Sequence, residues 1–281
     1  MRPTALKICL KNLLILIPTI AVVVFGLSGR ETSASLEVIS HAQTNVEAYV
    51  LEKLECNDLV FLGEVHKKPE LIRTAAGMLP YLHDAGVTHI AFEIASDQQY
   101  AVDHYIDSGE GLNDIRLHRQ IDCPQYRNLF ALLRSLDATR RPIPVAIDLP
   151  ASQYHGPVSR NEYMAECLSK IFGTDADAKI LSILGNNHVL AKLEWMAQVV
   201  NPHHSIRDYI ADTCPELKLF SIYQVESKSA GRCDFFDRLH SEQGPVAVEM
   251  DRRFHGWRLW MSNIAIEPAE VYTLLNGIIV Y

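Results

Sequence analysis

The sequence predicts an α/β domain of three layers, in which helices cover both faces of a mostly parallel central sheet. Two observations support this fold class. Short, continuously apolar segments alternate with amphipathic stretches from about residue 58 to residue 200, and the apolar segments are too short to be helices of the core. Strands buried on both faces give such unbroken apolar runs, and parallel neighbours need a helix between them.

Seven segments have the length and apolar character of strands. In chain order they are 58–63 (DLVFLG), 88–94 (THIAFEI), 143–148 (IPVAID), 179–185 (KILSILG), 217–224 (LKLFSIYQ), 245–249 (PVAVE) and 277–281 (GIIVY).

Helices are predicted in the intervals between these strands. Their bounds are 69–85, 97–106, 125–139, 159–173 and 188–200. Pro69 suits the first turn of the first helix, and Gly86 suits its end. In the last helix, apolar residues from Val189 to Val200 share one face.

Residues 1–35 have the composition of a signal peptide or an N-terminal membrane anchor. Arg2, Lys7 and Lys11 precede an uncharged run over residues 12–29, and small residues at 32–35 offer a cleavage site. The run is also just long enough to span a membrane. We therefore expect export to the periplasm or the outside of the cell, with 36–281 as a single domain and membrane contact only through the N-terminal segment.

The charge of the chain excludes one class of partner. Residues 1–35 hold four of the 26 basic and one of the 34 acidic residues, so the remainder carries 22 basic and 33 acidic residues, a formal charge of −11. Such an acidic surface argues against binding to nucleic acid. The sequence also lacks GxSxG, GxxxxGK[ST], GxGxxG and HExxH, which argues against serine hydrolases, nucleotide-binding proteins and zincins.

Polar residues follow four successive predicted strands. Glu64 and His66 follow the first strand, Glu93 lies on the second, Asp148 ends the third and His188 follows the fourth. Ligands of open parallel sheets bind beyond the carboxyl ends of the strands. We therefore expect Glu64, His66, Glu93 and His188 to converge on one catalytic site, although any one of them alone is more often a cap or a salt-bridge partner.

Two mechanisms suit this set of side chains. His66, Glu93 and His188 could bind a divalent metal ion whose water attacks a carbonyl, while Glu64 moves protons. Without a metal ion, His66 or His188 could act as general base, oriented by Glu64 or Glu93. Arg73 and Asp148 are candidate substrate-binding residues, with a surface salt bridge and a turn cap as their alternatives.

Three segments together resemble a known superfamily. FLGEVHKKPE, AFEIASDQQ and ILGNNHVLAKL are similar to the ChaN-like, erythromycin-esterase-like and Tiki group, over residues 57–200 and more loosely to the end. The resemblance implies a three-layer α/β fold and a site built on His66, Glu93 and His188, with Glu64 in the GExH form. It implies different activities by branch: a metal-dependent protease, a lactone hydrolase, or a haem-binding protein of iron uptake.

The sequence thus leads to one main hypothesis, an exported metal-dependent hydrolase acting on a peptide or ester bond of a small molecule or peptide. The alternative is a protein that binds haem or another iron compound and has no catalytic activity. A third possibility is a scaffold in which the same residues only cap the strands. Substrate, metal identity and oligomeric state stay open.

Overall fold

The computed structural model describes residues 25–28, 37, 41–192, 204–226, 244–261 and 269–281. The helices are α1 (Val46–Cys56), α2 (Pro69–Met78), α3 (Gln99–Ser108), α4 (Pro124–Ser135), α5 (Arg160–Thr174), α6 (Ile206–Thr213) and α7 (Val271–Leu274). The strands are β1 (Phe25–Ser28), β2 (Leu59–Glu64), β3 (His89–Ala95), β4 (Ile143–Asp148), β5 (Ile180–Gly185), β6 (Leu219–Val225), β7 (Val246–Glu249), β8 (Arg258–Met261), β9 (Ala269–Glu270) and β10 (Gly277–Val280).

Seven strands form the central sheet in the order β4-β3-β5-β2-β6-β10-β7. All neighbouring pairs are parallel except β10 and β7, which are antiparallel. The carboxyl ends of β4, β3, β5, β2 and β6 therefore lie side by side along one edge. That edge is where the sequence predicts the site.

Alternate residues of each strand enter two separate hydrophobic clusters. In β2, Val60 and Leu62 pack with α1, α2, α3 and α4, whereas Leu59 and Phe61 pack with α5, α6 and α7. Side chains of a strand alternate between the two faces of its sheet, so each cluster is the filling between the sheet and one helical layer. This is the predicted three-layer α/β fold with a mostly parallel sheet.

Strand bounds agree with the sequence prediction to within two residues, but several helix ends differ. Helix α2 ends at Met78 instead of residue 85, and a 3-10 turn follows over Leu79–Tyr81, because Pro80 has no N–H to continue the α-helical hydrogen bonds. Helix α4 ends at Ser135, and the Asp137 side chain accepts from the backbone N–H of Thr139 over 2.8 Å in the turn that follows.

The predicted helix 188–200 is wrong at its start. Residues Asn186–Val189 form a 3-10 turn, and the N–H of Ala191 donates to the carbonyl of Leu274 over 2.7 Å. The chain therefore pairs with the end of α7 instead of continuing as a helix. Residues 193–200 lie outside the described residues.

Helices α1 and α6 were not predicted, although both carry sequence signals at their starts. Asn45 accepts from the N–H of Ala48 over 2.9 Å at the start of α1. Ser205 and Asp208 form a capping box at the start of α6, which is the S-x-x-D pattern expected at a helix N-terminus.

A second, antiparallel sheet has the order β1-β8-β9. Its strand β1, Phe25–Ser28, belongs to the segment predicted as a leader and pairs with Arg258–Met261. The rest of residues 1–35 lies outside the described residues, so the leader stays a prediction. No helix in the described part of the chain meets the length and hydropathy that a membrane span requires. Cys56, Cys123, Cys167 and Cys214 are free thiols.

Candidate functional site

A turn at the end of β2 presents two of the predicted site residues. The carbonyl of Val65 accepts from the N–H of Lys68 over 3.1 Å, which closes a turn over residues 65–68. Within it, His66 Nδ1 lies 2.5 Å from Glu64 Oε1, so the carboxylate fixes the imidazole ring. Lys67 adopts φ 63°, a left-handed conformation that costs a non-glycine residue about 1 kcal/mol or more and is enriched at functional sites.

Glu93 lies at the centre of the site and is almost fully buried. Its Oε2 accepts from the N–H of Gly185 over 2.7 Å, and its Oε1 accepts from Arg160 Nη2 over 2.7 Å. Burial alone would raise the pKa of Glu93, but the charge that His188 carries in acid, the charge of Arg160 and that of protonated His66, with the Gly185 N–H, lower it to about 2. Glu93 is therefore a permanent carboxylate at neutral pH.

Arg160, the first residue of α5, joins Glu93 to Asp148. Its Nε and Nη2 donate to the two oxygens of Asp148 over 2.9 and 2.7 Å, a bidentate pair. Asp148 Oδ1 also accepts from the N–H of Leu149 over 2.7 Å. Asp148 thus belongs to the cluster, as the anchor of an arginine that the sequence analysis did not single out.

His188 is buried and oriented by Asn161. Its Nδ1 lies 2.6 Å from Asn161 Oδ1, and its Nε2 lies 3.6 Å from Glu93 Oε1. Asn161 Nδ2 donates to the carbonyl of His204 over 3.0 Å, so its oxygen faces the imidazole and accepts from Nδ1–H. Burial lowers the pKa of His188 despite the nearby carboxylate of Glu93, which keeps the ring neutral with Nε2 as an acceptor.

Two glycines are required by close packing at the site. A Cβ on Gly185 would lie 2.9 Å from His66 Cε1 and 3.2 Å from both His66 Nε2 and Glu93 Oε2. A Cβ on Gly63 would clash with the Asn186 side chain. Neither glycine has a positive φ, so these positions require glycine because it makes room for neighbouring side chains.

Solvent reaches only part of this cluster. The side chains of Glu64, Glu93 and Asp148 are 3–8% exposed, whereas those of His66 and Arg160 are 29% and 37% exposed. A substrate would therefore meet an imidazole and a guanidinium. The buried carboxylates lie behind them and fix their positions.

The charges of Glu64 and His66 depend on each other. Burial raises the pKa of the Glu64 carboxyl, although the hydrogen bond from His66 opposes this. Burial would lower the pKa of His66, but the hydrogen bond and charge of Glu64, together with the charge of Glu93, raise it. The pair therefore holds its shared proton more tightly than an isolated imidazole would.

Arg73 lies apart from the cluster. It is exposed on α2 and lines an open groove between α2 and α4 with a volume of about 410 Å³. The other lining residues are Ile72, Ala76, Pro124, Gln125 and Asn128. No described contact links Arg73 to Glu64 or Glu93, so its predicted role in substrate binding stays a prediction.

Gln224 and Asn186 support the turn after β2 from the neighbouring strands. Gln224 Nε2 donates to the carbonyl of Gly63 over 2.5 Å, and Asn186 Nδ2 donates to the carbonyl of Gln224 over 2.6 Å. The hydroxyl of Tyr281 donates to Gln224 Oε1 over 2.7 Å. In the sequence, only their positions at the ends of predicted strands indicated that Gln224, Asn186 and Tyr281 could lie near the site.

An aromatic ring lies beside Arg160, and the charges of the cluster also act on a third imidazole. The Tyr154 ring centroid lies 5.9 Å from Arg160 Cζ, and Tyr154 is 43% exposed. His118, from the segment between α3 and α4, is also exposed. Partial burial and then the charge of Arg160 lower the pKa of His118, which places it within the field of the cluster.

The predicted divalent metal ion does not fit the cluster. Arg160 already supplies a fixed positive charge between Glu93 and Asp148. Within the described ranges, no group of three or more His, Cys, Asp or Glu side chains has an arrangement that could hold a metal ion. The set His66, Glu93 and His188 is therefore not arranged as metal ligands.

A haem would need an axial ligand and a broad apolar wall. His66 Nε2, on a partly exposed ring with its Nδ1 fixed by Glu64, suits the ligand role. The contacts of the cluster are with polar groups and the Tyr154 ring, so the described cluster does not itself provide the wall.

Several solved structures are similar to this fold. A mutant of the erythromycin esterase EreC in its open conformation superposes with a TM-score of 0.61 at 11% identity, covering 91% of this chain and 97% of that chain. This chain has the erythromycin-esterase fold. A protein from Bacillus cereus follows with a TM-score of 0.58 at 11% identity, covering 88% of this chain and 96% of that one.

A succinoglycan biosynthesis protein is similar to the same degree, with a TM-score of 0.58 at 9% identity, covering 89% of this chain and 97% of that chain. These identities are low, so the likeness is one of fold. At that level the resemblance expected from the three sequence motifs is confirmed. The sequence matches no protein-family model and no curated protein.

Proposed function

We propose that this chain is an exported hydrolase that cleaves an ester or peptide carbonyl bond, with His66 as the general base. The observation that carries this proposal is the 2.5 Å hydrogen bond between Glu64 Oε1, at the buried end of β2, and Nδ1 of the partly exposed His66 ring. A buried carboxylate on one nitrogen fixes the ring and its tautomer, which leaves Nε2 to act on water.

The reaction follows from the position of Nε2. Nε2 of neutral His66 takes a proton from a water molecule while the water oxygen attacks the carbonyl carbon. The tetrahedral intermediate collapses by breaking its C–O or C–N bond, and Nε2–H returns the proton to the leaving oxygen or nitrogen. One water molecule is consumed, and His66 ends neutral, as it began.

Glu93 and His188 support the reaction without exchanging protons with the substrate. Glu93 stays ionised at neutral pH because its pKa is about 2, so its role is to hold Arg160 and the backbone of Gly185. His188 Nε2 is an acceptor when the ring is neutral, and it can receive a hydrogen bond from a substrate hydroxyl or amide N–H.

The fold comparison favours an ester over a peptide as the first substrate class to test. EreC is an esterase by its name, and its fold covers nearly all of this chain. We therefore infer a small-molecule ester or lactone as the substrate, and a peptide as the second choice.

The test is hydrolysis of a panel of p-nitrophenyl esters, aliphatic lactones and fluorogenic peptides by wild type and His66→Asn. We expect kcat to fall by about 10²- to 10⁴-fold in the variant, the range that general base catalysis contributes. His83→Asn is the matched control, because His83 is exposed and lies just before β3, at the other end of the strand. Equal rates in wild type and His66→Asn would reject His66 as the base.

The same preparations distinguish the haem alternative. Titration with haem, followed by visible absorption, gives a saturating Soret band that is lost in His66→Asn if the cleft is a haem site. Such a result without hydrolysis of any panel member would replace the proposed hydrolase with a haem-binding function.

The part of this proposal that concerns export rests on the N-terminal sequence. The basic residues Arg2, Lys7 and Lys11 and the uncharged run over 12–29 support a leader. The mass of the protein recovered from the periplasm or the medium of an expressing bacterium tests this, since cleavage within residues 32–35 gives a defined mature mass.

A further inference from the structure

We propose that Arg160 is the electrophile of this site: its Nη1 donates to the carbonyl oxygen of the substrate and takes the place that a metal ion has in metal-dependent hydrolases. This inference rests on the proposed hydrolase function. It identifies a catalytic residue that the sequence motifs do not contain.

The guanidinium is fixed along one side by two carboxylates, and its other side has no partner in the described part of the chain. A guanidinium has five N–H donors, of which Nε and Nη2 donate to Asp148 and Glu93 over 2.7–2.9 Å. Among the described residues, Nη1 has no hydrogen-bond partner, and the side chain is 37% exposed. Two N–H groups therefore remain for a substrate on a side chain whose orientation is set by two buried carboxylates.

His66, the base, and Arg160, the electrophile, both contact the pair formed by Glu93 and Gly185. Glu93 contacts Arg160 through Oε1 and the backbone of Gly185 through Oε2. The ring of His66 packs on the same glycine, since a Cβ there would lie 3.2 Å from His66 Nε2. A water molecule bound to His66 Nε2 and a carbonyl oxygen bound to Arg160 Nη1 would thus be held in a fixed position relative to each other. Stabilisation of a transition state requires such fixed positions.

Charge explains why a metal ion and Arg160 exclude each other. A divalent cation bound by Glu93 would lie next to a permanent positive charge only one carboxylate away. Two positive charges so close together repel each other strongly near a protein surface. Removing the arginine should therefore turn a poor metal site into a better one, with Glu93, Asp148 and His188 as its ligands.

Titration calorimetry with Mn²⁺ and Zn²⁺ tests this without any assay of activity. We expect no stoichiometric binding by wild type and binding at least about tenfold tighter by Arg160→Met, because the repulsion is removed. One equivalent of metal bound by wild type and lost in a His66→Asn, His188→Asn double variant would overturn the proposal. Arg160→Met leaves two buried carboxylates unpaired, so this variant can fail to fold. If it does not fold, the metal titration of wild type alone decides whether the site binds a divalent ion.

Kinetics of Arg160→Lys, Arg160→Met and the surface control Arg140→Met on the best ester of the panel test the role in catalysis. Loss of a transition-state donor lowers kcat by about 10²- to 10³-fold with little change in KM. Added methylguanidine should partly rescue Arg160→Met, and methylammonium should not, which a merely structural role would not produce. A folded Arg160→Met with the kcat of wild type would refute the assignment. If wild type hydrolyses no ester, the proposed function fails and the metal titration still tests Arg160.

Discussion

The backbone N–H of Gly185 donates to Oε2 of Glu93 over 2.7 Å, although 92 residues separate the two in the chain. This bond joins the ends of β5 and β3, two neighbours in the sheet. It fixes the central carboxylate of the site against the surface on which the His66 ring packs. Gly185 is therefore required because no larger side chain fits beside His66 and Glu93, and not because of its backbone conformation.

Gly185→Ala should abolish catalysis while the protein stays folded. The added Cβ would lie 2.9 Å from His66 Cε1, so the imidazole must move, and such overpacking costs about 1–3 kcal/mol. The measurement is kcat on the ester panel together with the free energy of unfolding in urea.

Gly173→Ala is the control for this substitution. It lies in α5 with nothing within 4 Å of its Cβ position, so alanine should stabilise the helix by about 0.5–1 kcal/mol. An active Gly185→Ala would show that the His66 position is not critical.

Glu93→Gln should destabilise the fold more than any other single change in the cluster, by about 3 kcal/mol at pH 7, since it removes the charged partner of a largely buried pair. The destabilisation caused by Glu93→Gln should become smaller as the pH falls. The pKa of Glu93 is lowered to about 2, so its stabilising contribution is complete above about pH 4.5 and is lost as the pH falls towards 2.

Urea unfolding of wild type and Glu93→Gln at pH 7 and pH 3 measures this, with Glu110→Gln, an exposed carboxylate, as control. The difference between wild type and variant should shrink at pH 3. A difference that is the same at both pH values would show that the ionised carboxylate of Glu93 is not the stabilising form.

The pH dependence of hydrolysis should report His66. Only neutral His66 can accept a proton, so the rate should rise with pH through its raised pKa. Glu64→Gln removes the charge that raises this pKa, and burial, which lowers it, is then less opposed. The midpoint of the pH profile should therefore move to lower pH while kcat falls. An NMR titration of the His66 ring checks the same shift, and an unmoved midpoint would contradict the pairing of these two residues.

Asn161→Asp should reverse the direction in which the pKa of His188 is shifted. Burial lowers the pKa of His188 while its Nδ1 faces a neutral amide 2.6 Å away. A carboxylate at that position stabilises the imidazolium, so the pKa should rise. Ring NMR signals of His188 across pH 5–9 measure the change. Asn161→Ala, which leaves Nδ1 unsatisfied, should instead cost about 1–3 kcal/mol of stability.

The sequence predicts the sheet well because its strands are buried on both faces. The apolar runs of β2 and β5 mark their ends to within one residue, and parallel pairing then brings Glu64, Glu93 and His188 to one edge. Arg160 could not be found in this way. It lies at the start of a helix, 12 residues after Asp148, and its role depends on a tertiary contact that no local pattern encodes.

The sequence also misleads where tertiary contacts override periodicity. Apolar residues from Val189 onward have helical spacing, yet the chain turns away to pair with the carbonyl of Leu274. The metal expected from His66, Glu93 and His188 was inferred from residue types alone. The structure adds a guanidinium between Glu93 and Asp148, which changes the chemistry that the same residues can perform.

The measurement that tests the central claim most directly is ester hydrolysis by protein dialysed against EDTA, with wild type and His66→Asn assayed side by side. We predict that the dialysed wild type hydrolyses the ester at the rate of the untreated protein, and that His66→Asn is at least about 10²-fold slower. Activity that disappears on dialysis and returns with a divalent metal ion would contradict a hydrolase in which Glu64, His66 and Arg160 perform the reaction.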